Sequence, residues 1–291
     1  MVRSYGVKVH KRKKREENYD KEEDEVEEQS IQAAKKKALT STKQDEDVEK
    51  KAREDESKEE EEEAPLEVLE GIPAGPSDQK ALKRGVIFVL ERASLEVGKV
   101  GKSYQLLNSD EHANFLRRNN KNPADYRPDI IHQALLSILD SPLNKAGMVR
   151  SIYVKTEKGV LFEVRPHVRI PRTFKRFAGL MLQLLQKLSI TAANKREKLL
   201  RVIKNPVTQY LPVNSRKTGL SYSSEKLVDI QKYVATIGDD MDLVFVVGAM
   251  AHGKIDNDYT DDWVAISGYP LSAAFCISMI CQGVAKKWNV L

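Results

Sequence analysis

Cysteine is scarce: the 291 residues contain two, Cys276 and Cys281. They stand five apart in one apolar segment. On a helix that spacing turns the side chains away from each other, so no disulfide is expected. So few thiols read as a reducing, intracellular setting. No run of 18 apolar residues occurs, which argues against a transmembrane helix. The opening MVRSYGVKVHKRKKREE lacks the apolar stretch of a secretory signal. The histidines (His10, His112, His132, His167, His252) are scattered without metal-ligand spacing, and no cysteine cluster joins them, so no metal site is expected. There is no G-x-S-x-G and no Cys–His context for a nucleophile. The phosphate loops are also incomplete. G-x-G-x-x-G is missing, and although Gly248, Gly253 and Lys254 have Walker spacing, Ile255 replaces the hydroxyl residue that would hold magnesium.

Charge is plentiful, and it is sorted along the chain. Residues 1–78 carry 16 Lys and Arg against 24 Asp and Glu, while the rest carries 32 against 19. An acidic arm is thus joined to a basic body, which suggests a polyanionic partner such as nucleic acid. The arm has too few apolar residues to offset chain entropy and is expected to be disordered. Within it, Lys8 to Arg15 (KVHKRKKR) reads as a nuclear localisation signal or an RNA-contacting patch. The acidic run Glu59–Glu63 suits basic partners. Pro73, Gly75 and Pro76 mark the hinge. Residues 79–291 form the second domain, long enough for a substantial core.

The body alternates strand and helix patterns, predicting an α/β fold with a largely parallel sheet. Val86 to Leu90 is apolar throughout, like a strand buried on both faces. YQLLN predicts a short strand, Asp110 an N-cap for a helix through Asn119, and Pro128 the first turn of a helix with Ile131, Leu135, Ile138 and Leu139 inward. Alternation around Glu157–Gly159 predicts a hairpin. Phe174, Phe177, Leu180, Met181, Leu184, Leu185 and Leu188 form a helical stripe. KLLRVIKNP and KTGLSYS read as strands, EKLVDIQKYVATI as a helix, DLVFVVGAM as a buried strand and PLSAAFCISMICQGVAKKW as the last helix.

Four segments could carry chemistry. In VRPHVRIPRTFKRF, Arg165, His167, Arg169, Arg172, Lys175 and Arg176 gather at a helix start, where the dipole already disfavours cations. Such a cluster beside free N–H groups suits an anion, and no acid lies between Arg165 and Arg196 to neutralise it locally. Arg127–Pro128–Asp129 places an Arg–Asp pair before an apolar helix, either an ordinary first-turn acid or a pair that positions a base edge. In LVFVVGAMAHGKID, Gly248 follows a buried strand directly, as a glycine does where main chain approaches a ligand, though a tight turn explains it equally. In AISGYPLSAAF, Gly268, Tyr269 and Pro270 set a turn before a helix, with Ser272 near its first turn. Two such loops after neighbouring strands make a ligand crevice.

ASLE (93–96), RPDIIHQ (127–133), LDSPLNKAG (139–147), VRIPRTFKRFAGLM (168–181), KLLRVIKNP (198–206), VFVVGAMAHGK (244–254), GYPLSAA (268–274) and WNVL (288–291) together closely resemble the pseudouridine N1-methyltransferases of small-subunit ribosome biogenesis, a branch of the SPOUT (α/β-knot) class. The resemblance spans essentially the whole body. It implies a parallel-rich sheet flanked by helices, with a C-terminal trefoil knot, in a homodimer that binds S-adenosylmethionine in the knot loops. By position, Leu220, Gly248, Gly253, Lys254, Ile255 and the stretch Ile266, Ser267, Gly268, Tyr269, Pro270 and Leu271 would line the cofactor pocket. Arg127, Asp129, Arg169, Arg172 and Arg176 would contact rRNA, with Asp129 and Arg127 at the chemistry: Arg127 would hold the carboxylate, and Asp129 would either accept the N1 proton or only orient the base. The implied activity is methylation of N1 of a pseudouridine in a small-subunit (18S-type) rRNA loop. A role in subunit assembly with other assembly factors, and a nuclear, nucleolar location, accompany it. Three other readings stand beside this one: a non-catalytic pre-rRNA-binding assembly factor, a related methyltransferase acting on another base or a ribose 2′-OH, and a simple nucleotide-binding protein.

Overall fold

A computed structural model describes residues 84–192, 196–255 and 258–290. The arm expected over residues 1–78, its basic cluster and its hinge lie outside them. In chain order the strands are β1 (Val86–Ala93), β2 (Val97–Val100), β3 (Ser103–Leu106), β4 (Val149–Thr156), β5 (Leu161–Val164), β6 (Ser189–Thr191), β7 (Lys198–Ile203), β8 (Ser215–Leu220), β9 (Asp242–Gly248) and β10 (Asp262–Val264). The α-helices are α1 (Ser109–Arg118), α2 (Pro128–Leu139), α3 (Pro142–Lys145), α4 (Phe174–Lys187), α5 (Ile230–Ala235) and α6 (Ala273–Lys287).

The main sheet has eight strands in the order β10-β8-β9-β1-β4-β5-β7-β6. From β10 to β4 every neighbouring pair is parallel, and from β4 to β6 every pair is antiparallel. The parallel half is the expected one; the antiparallel extension begins at the hairpin predicted around Glu157–Gly159. β1 lies at the centre, and its alternate residues serve two cores. Val86, Phe88 and Leu90 enter the large one beneath the helices. Ile87 and Val89 enter a smaller one with Tyr153, Leu161, Val207, Leu211, Val244 and Val246. Burial on both faces explains why β1 and β9 read as unbroken apolar runs.

Helix α2 buries Ile131, Leu135, Ile138 and Leu139, the face its spacing predicts. It packs against α6, which also covers α5 and α3. Ser272 is the N-cap of α6, its hydroxyl accepting from Phe275 N–H at 3.2 Å. Both cysteines are free; Cys281 is buried and Cys276 half-buried. Among the described residues no helix is long and apolar enough to cross a membrane, and no group of His, Cys, Asp and Glu is placed to hold a metal.

Several expectations need correction. YQLLN is not a lone strand but half of a separate antiparallel hairpin, β2 with β3, whose first strand (VGKV) carries no alternating pattern to betray it. Asn108, not Asp110, caps α1, its side chain accepting from Glu111 N–H at 2.7 Å. The segment from Glu225 to Ile237 is helical only over α5. Val228 N–H and Ala265 N–H bond instead to Ala265 C=O and Lys226 C=O, so the backbone before the Asp229 cap is engaged with the chain leaving β10. Strand β8 ends at Leu220, before the SYS of KTGLSYS. Leu188 leaves the apolar stripe of α4, because it is the left-handed C-cap (φ 63°) and is exposed.

Candidate functional site

In a parallel sheet the loops that leave the strand carboxyl ends collect along one edge. Here the loops after β8, β9 and β10 meet there and enclose a cavity of about 440 Å³, the size of a small-molecule site; β9 and β10, expected to be neighbours, are separated by β8, whose own loop joins the site. Leu220, Gly248, Gly253, Lys254, Ile255, Ile266, Ser267, Tyr269 and Leu271 line it; Gly268 and Pro270 belong to the same loop but not to the lining. The first turns of α2 close the cavity from another side with Arg127, Asp129, Ile130 and Gln133. The structure therefore joins two segments that sequence spacing left separate.

Two glycines shape the wall. Gly253 has φ +107°, a conformation that side-chain-bearing residues rarely adopt. At Gly248 a Cβ would stand 3.1 Å from the Met250 side chain and 3.3 Å from Ile255 Cδ1, so the bare backbone is what keeps the strand end open. The loop is tied to β1 at both ends: Ala249 N–H donates to Glu91 C=O at 2.8 Å, and Tyr259 Oη donates to the buried Glu91 carboxylate at 3.1 Å. Burial, reinforced by that carboxylate, pushes the Tyr259 phenol strongly upward, so it stays a donor.

Arg127 and Asp129 face each other as a two-pronged pair, Nε to Oδ1 at 2.8 Å and Nη2 to Oδ2 at 2.7 Å. Pro128 starts α2 without needing an N–H, and Asp129 follows in the first turn, where the helix dipole favours an acid. The Arg127 guanidinium holds the Asp129 carboxyl below the usual carboxylate range, so it is ionised at neutral pH. Behind the pair, Arg127 N–H donates to Ser94 Oγ at 3.2 Å. Burial raises the Glu96 carboxyl, but bonds from Lys121 and Tyr126 outweigh it and leave it lowered; the Tyr126 contact is 3.0 Å. The ASLE segment thus braces the turn that carries Arg127.

Arg169, Arg172, Lys175 and Arg176 are all exposed on the β5–α4 segment. The first turn of α4 contains no acid and its N-cap, Thr173, makes no side-chain capping bond. No acid lies within the cluster's own stretch, yet part of it is paired by acids from outside that stretch. Arg172 reaches Asp140 at the end of α2 (2.9 Å), Arg165 reaches Glu163 (3.3 Å) and His167 reaches Glu197 (3.1 Å). Glu163 and Glu197 lie just outside the acid-free stretch, and Asp140 comes from α2, far away in the chain. The buried His132 joins the two regions: its ring lies 4.4 Å from the Phe177 ring, and Nε2 is 2.8 Å from Pro171 C=O. A carbonyl only accepts, so Nε2 carries the proton. The arginine segment is thereby fastened to the helix that bears Asp129.

The sequence reading missed Gln133, Tyr222, Met250 and Cys276, which also line the cavity. Gln133 lies one turn beyond Asp129, and that i, i+4 relation was the available signal.

Three comparisons bear on the site. Residues 88–285 match the family model described as EMG1/NEP1 methyltransferase. Over 208 residues, 72% of this chain and 84% of the relative, the sequence is 51% identical to "Ribosomal RNA small subunit methyltransferase NEP1" of Mus musculus. It is also 51% identical to "Ribosomal RNA small subunit methyltransferase nep-1" of Caenorhabditis elegans, covering 72% of this chain and 90% of that one. Among solved structures, "Crystal structure of Archaeoglobus Fulgidus Nep1 bound to S-adenosylhomocysteine" is similar at a TM-score of 0.53 and 22% identity, over 70% of this chain and 99% of that one. That likeness shows the fold, the helix-flanked sheet with parallel strands expected for the SPOUT class.

Proposed function

We propose, from the premise that this chain belongs to the EMG1/NEP1 methyltransferase family, that it methylates N1 of a pseudouridine in a loop of small-subunit rRNA with S-adenosylmethionine as methyl donor. One observation carries the proposal: the glycine-walled loops and the Arg127–Asp129 pair open into the same cavity. A methyl donor and a base can therefore meet in it.

The residues fit the donor. Leu220, Ile255, Ile266 and Leu271 offer apolar walls for a purine. Gly248 and Gly253 present main chain, whose N–H and C=O groups can read ring edges and ribose hydroxyls. Bound there, the cofactor supplies an electrophilic methyl on a sulfonium, chemistry that needs no covalent enzyme intermediate. The chain must then hold N1 in line and ease the loss of its proton. Orientation is worth several kcal/mol, up to about 7–11 in the most favourable systems. Asp129 is a poor proton acceptor, because its carboxyl is lowered and both oxygens are engaged by Arg127. It acts as an orienter, and the proton passes to solvent. Arg127 supplies positive charge beside the base as negative charge develops on it.

The exposed Arg169, Arg172 and Arg176 hold the RNA backbone or stack on unstacked loop bases. The enzyme works as a homodimer, for which the exposed Tyr222, Tyr269 and Phe275 near the cavity offer an apolar surface. It acts in the nucleolus, and the Lys8–Arg15 cluster supports a nuclear address.

The test uses labelled S-adenosylmethionine and two matched RNA hairpins, one with uridine and one with pseudouridine at the target, with products read by mass spectrometry. Label on the pseudouridine base alone supports the proposal. Label on uridine or on a ribose would make the enzyme a different methyltransferase. RNA binding without cofactor binding would leave an assembly factor.

A further inference from the structure

Arg92 stands in β1 with φ +58°, in the left-handed region where a residue other than glycine is uncommon. The pairing of β1 with β4 is irregular at this point, between Leu90 and Ala93. Such a bulge re-aims a side chain. The re-aimed guanidinium grips Glu157, in the β4–β5 turn, through Nε and Nη2 at 2.9 Å each. Its third nitrogen, Nη1, donates to Lys254 C=O at 2.7 Å. A Cβ on Gly253 would lie 3.0 Å from that same Nη1, so the guanidinium lies close against the Gly253 backbone. Glu157 is itself anchored, its N–H donating to Ala93 C=O at 3.0 Å. One strained residue thus ties the central strand and a hairpin turn to the main chain of the glycine loop.

That loop separates two cavities. Met250, Ala251 and His252 line the 440 Å³ site already described and also a second space of about 450 Å³, on whose side Arg92 and Glu157 lie. Arg92 does not line the first cavity. We infer that Arg92 is a positioning residue: its guanidinium, steadied by Glu157, fixes the Lys254 carbonyl and so the loop conformation that receives the cofactor. The inference rests on the methyltransferase reading above. A planar fork can hold a carboxylate and a carbonyl together, whereas the point charge of lysine cannot reproduce that geometry. Arg92→Gly removes the clamp while also relieving the positive φ, so its effect on folding and its effect on the loop part company.

The test is calorimetric titration of the whole chain with S-adenosylhomocysteine, together with hydrogen exchange at amides 250–254 of the free protein. Arg92→Gly should raise the dissociation constant about tenfold, the scale of one lost charge-assisted bond. It should speed exchange in the loop and leave RNA affinity unchanged. Arg92→Lys should restore part of the affinity, and Glu157→Gln should weaken binding in the same direction, so the inference remains testable if the glycine variant fails to fold. If the unaltered protein does not bind S-adenosylhomocysteine, the methyltransferase reading falls, and this inference with it. If the unaltered protein binds and the variants bind equally well, the clamp alone is overturned. A change in RNA affinity without a change in cofactor affinity would also overturn it, making Arg92 an RNA contact in the second cavity.

Discussion

The Arg127–Asp129 pair gives the sharpest prediction, because an orienting carboxylate and a general base respond differently to the same substitutions. Each side chain is roughly a third to a half exposed, so the pair contributes little to folding, about 0–1 kcal/mol. Variants should therefore melt close to the unaltered protein, and changes in turnover can be read directly. If Asp129 orients the base through Arg127, an amide in its place still accepts one of the two bonds at 2.8 and 2.7 Å. Asp129→Asn should then lose about tenfold in kcat/KM, near 1.4 kcal/mol. Asp129→Ala and Arg127→Ala should each lose about a hundredfold, the scale of a misplaced reacting group. Because the two residues act as one unit, the double variant should lose no more than either single one.

The assay is methyl transfer to the pseudouridine hairpin at saturating cofactor, with melting temperatures recorded alongside. A general base would behave otherwise. Asp129→Asn would then cost about 10²–10⁴, Arg127→Ala would cost much less, and the double variant would show nearly additive losses. That pattern would refute the orienting role, and the lowered Asp129 carboxyl would have to be reconciled with proton transfer.

Other outcomes follow from the same geometry. Arg176→Ala should weaken RNA binding and reduce the slope of log affinity against log salt by about one; Arg172→Ala should do less, because Asp140 already pairs with Arg172 in the free protein. Burial raises the Asp262 carboxyl, but Lys226, Arg216 and Tyr233 bond to it and bring it down to about 2. Its contribution is therefore complete above the usual carboxylate range and is lost as pH falls toward 2, so Asp262→Asn should cost about 2 kcal/mol at pH 7 and almost nothing at pH 2 by denaturant titration. Burial pushes the Cys281 thiol up to about 11, and Cys276, which lines the cavity, is raised less. Iodoacetamide at pH 8 should modify Cys276 slowly and Cys281 hardly at all, and S-adenosylhomocysteine should protect Cys276; rapid labelling of Cys281 would contradict the packing of α6.

Elements with a strong period were legible in the sequence, and those without one were not. The apolar runs of β1 and β9 and the stripes of α2 and α4 declare a buried face residue by residue. Strands β6 and β10 have three residues each, too few for any period, and take their place from neighbours already laid down. Charge pairing was illegible for a related reason. Arg172 finds Asp140 across 32 positions of chain, because His132 docks the β5–α4 segment onto α2. Arg92 offered no signal at all, since its role depends on a positive φ and a bulge that composition does not record.

The cavity shows the limit most clearly. Its walls come from 127–133, 220–222, 247–255 and 264–276; the local sequence pattern suggested a crevice between the last two, but not that the first two join it. Periodicity tells which side of a strand faces the core, but not which loops meet beyond its end. Parallel pairing of β10, β8, β9 and β1 is what places three of those segments on one edge, and the packing of α2 on α6 brings the fourth against them. Without that convergence, Arg127 and Asp129 are an ordinary helix start and Gly248 and Gly253 an ordinary turn. With it, a charged pair that can orient a base stands beside a loop shaped to receive a methyl donor. The chemistry therefore depends on the register of the sheet as much as on the residues themselves.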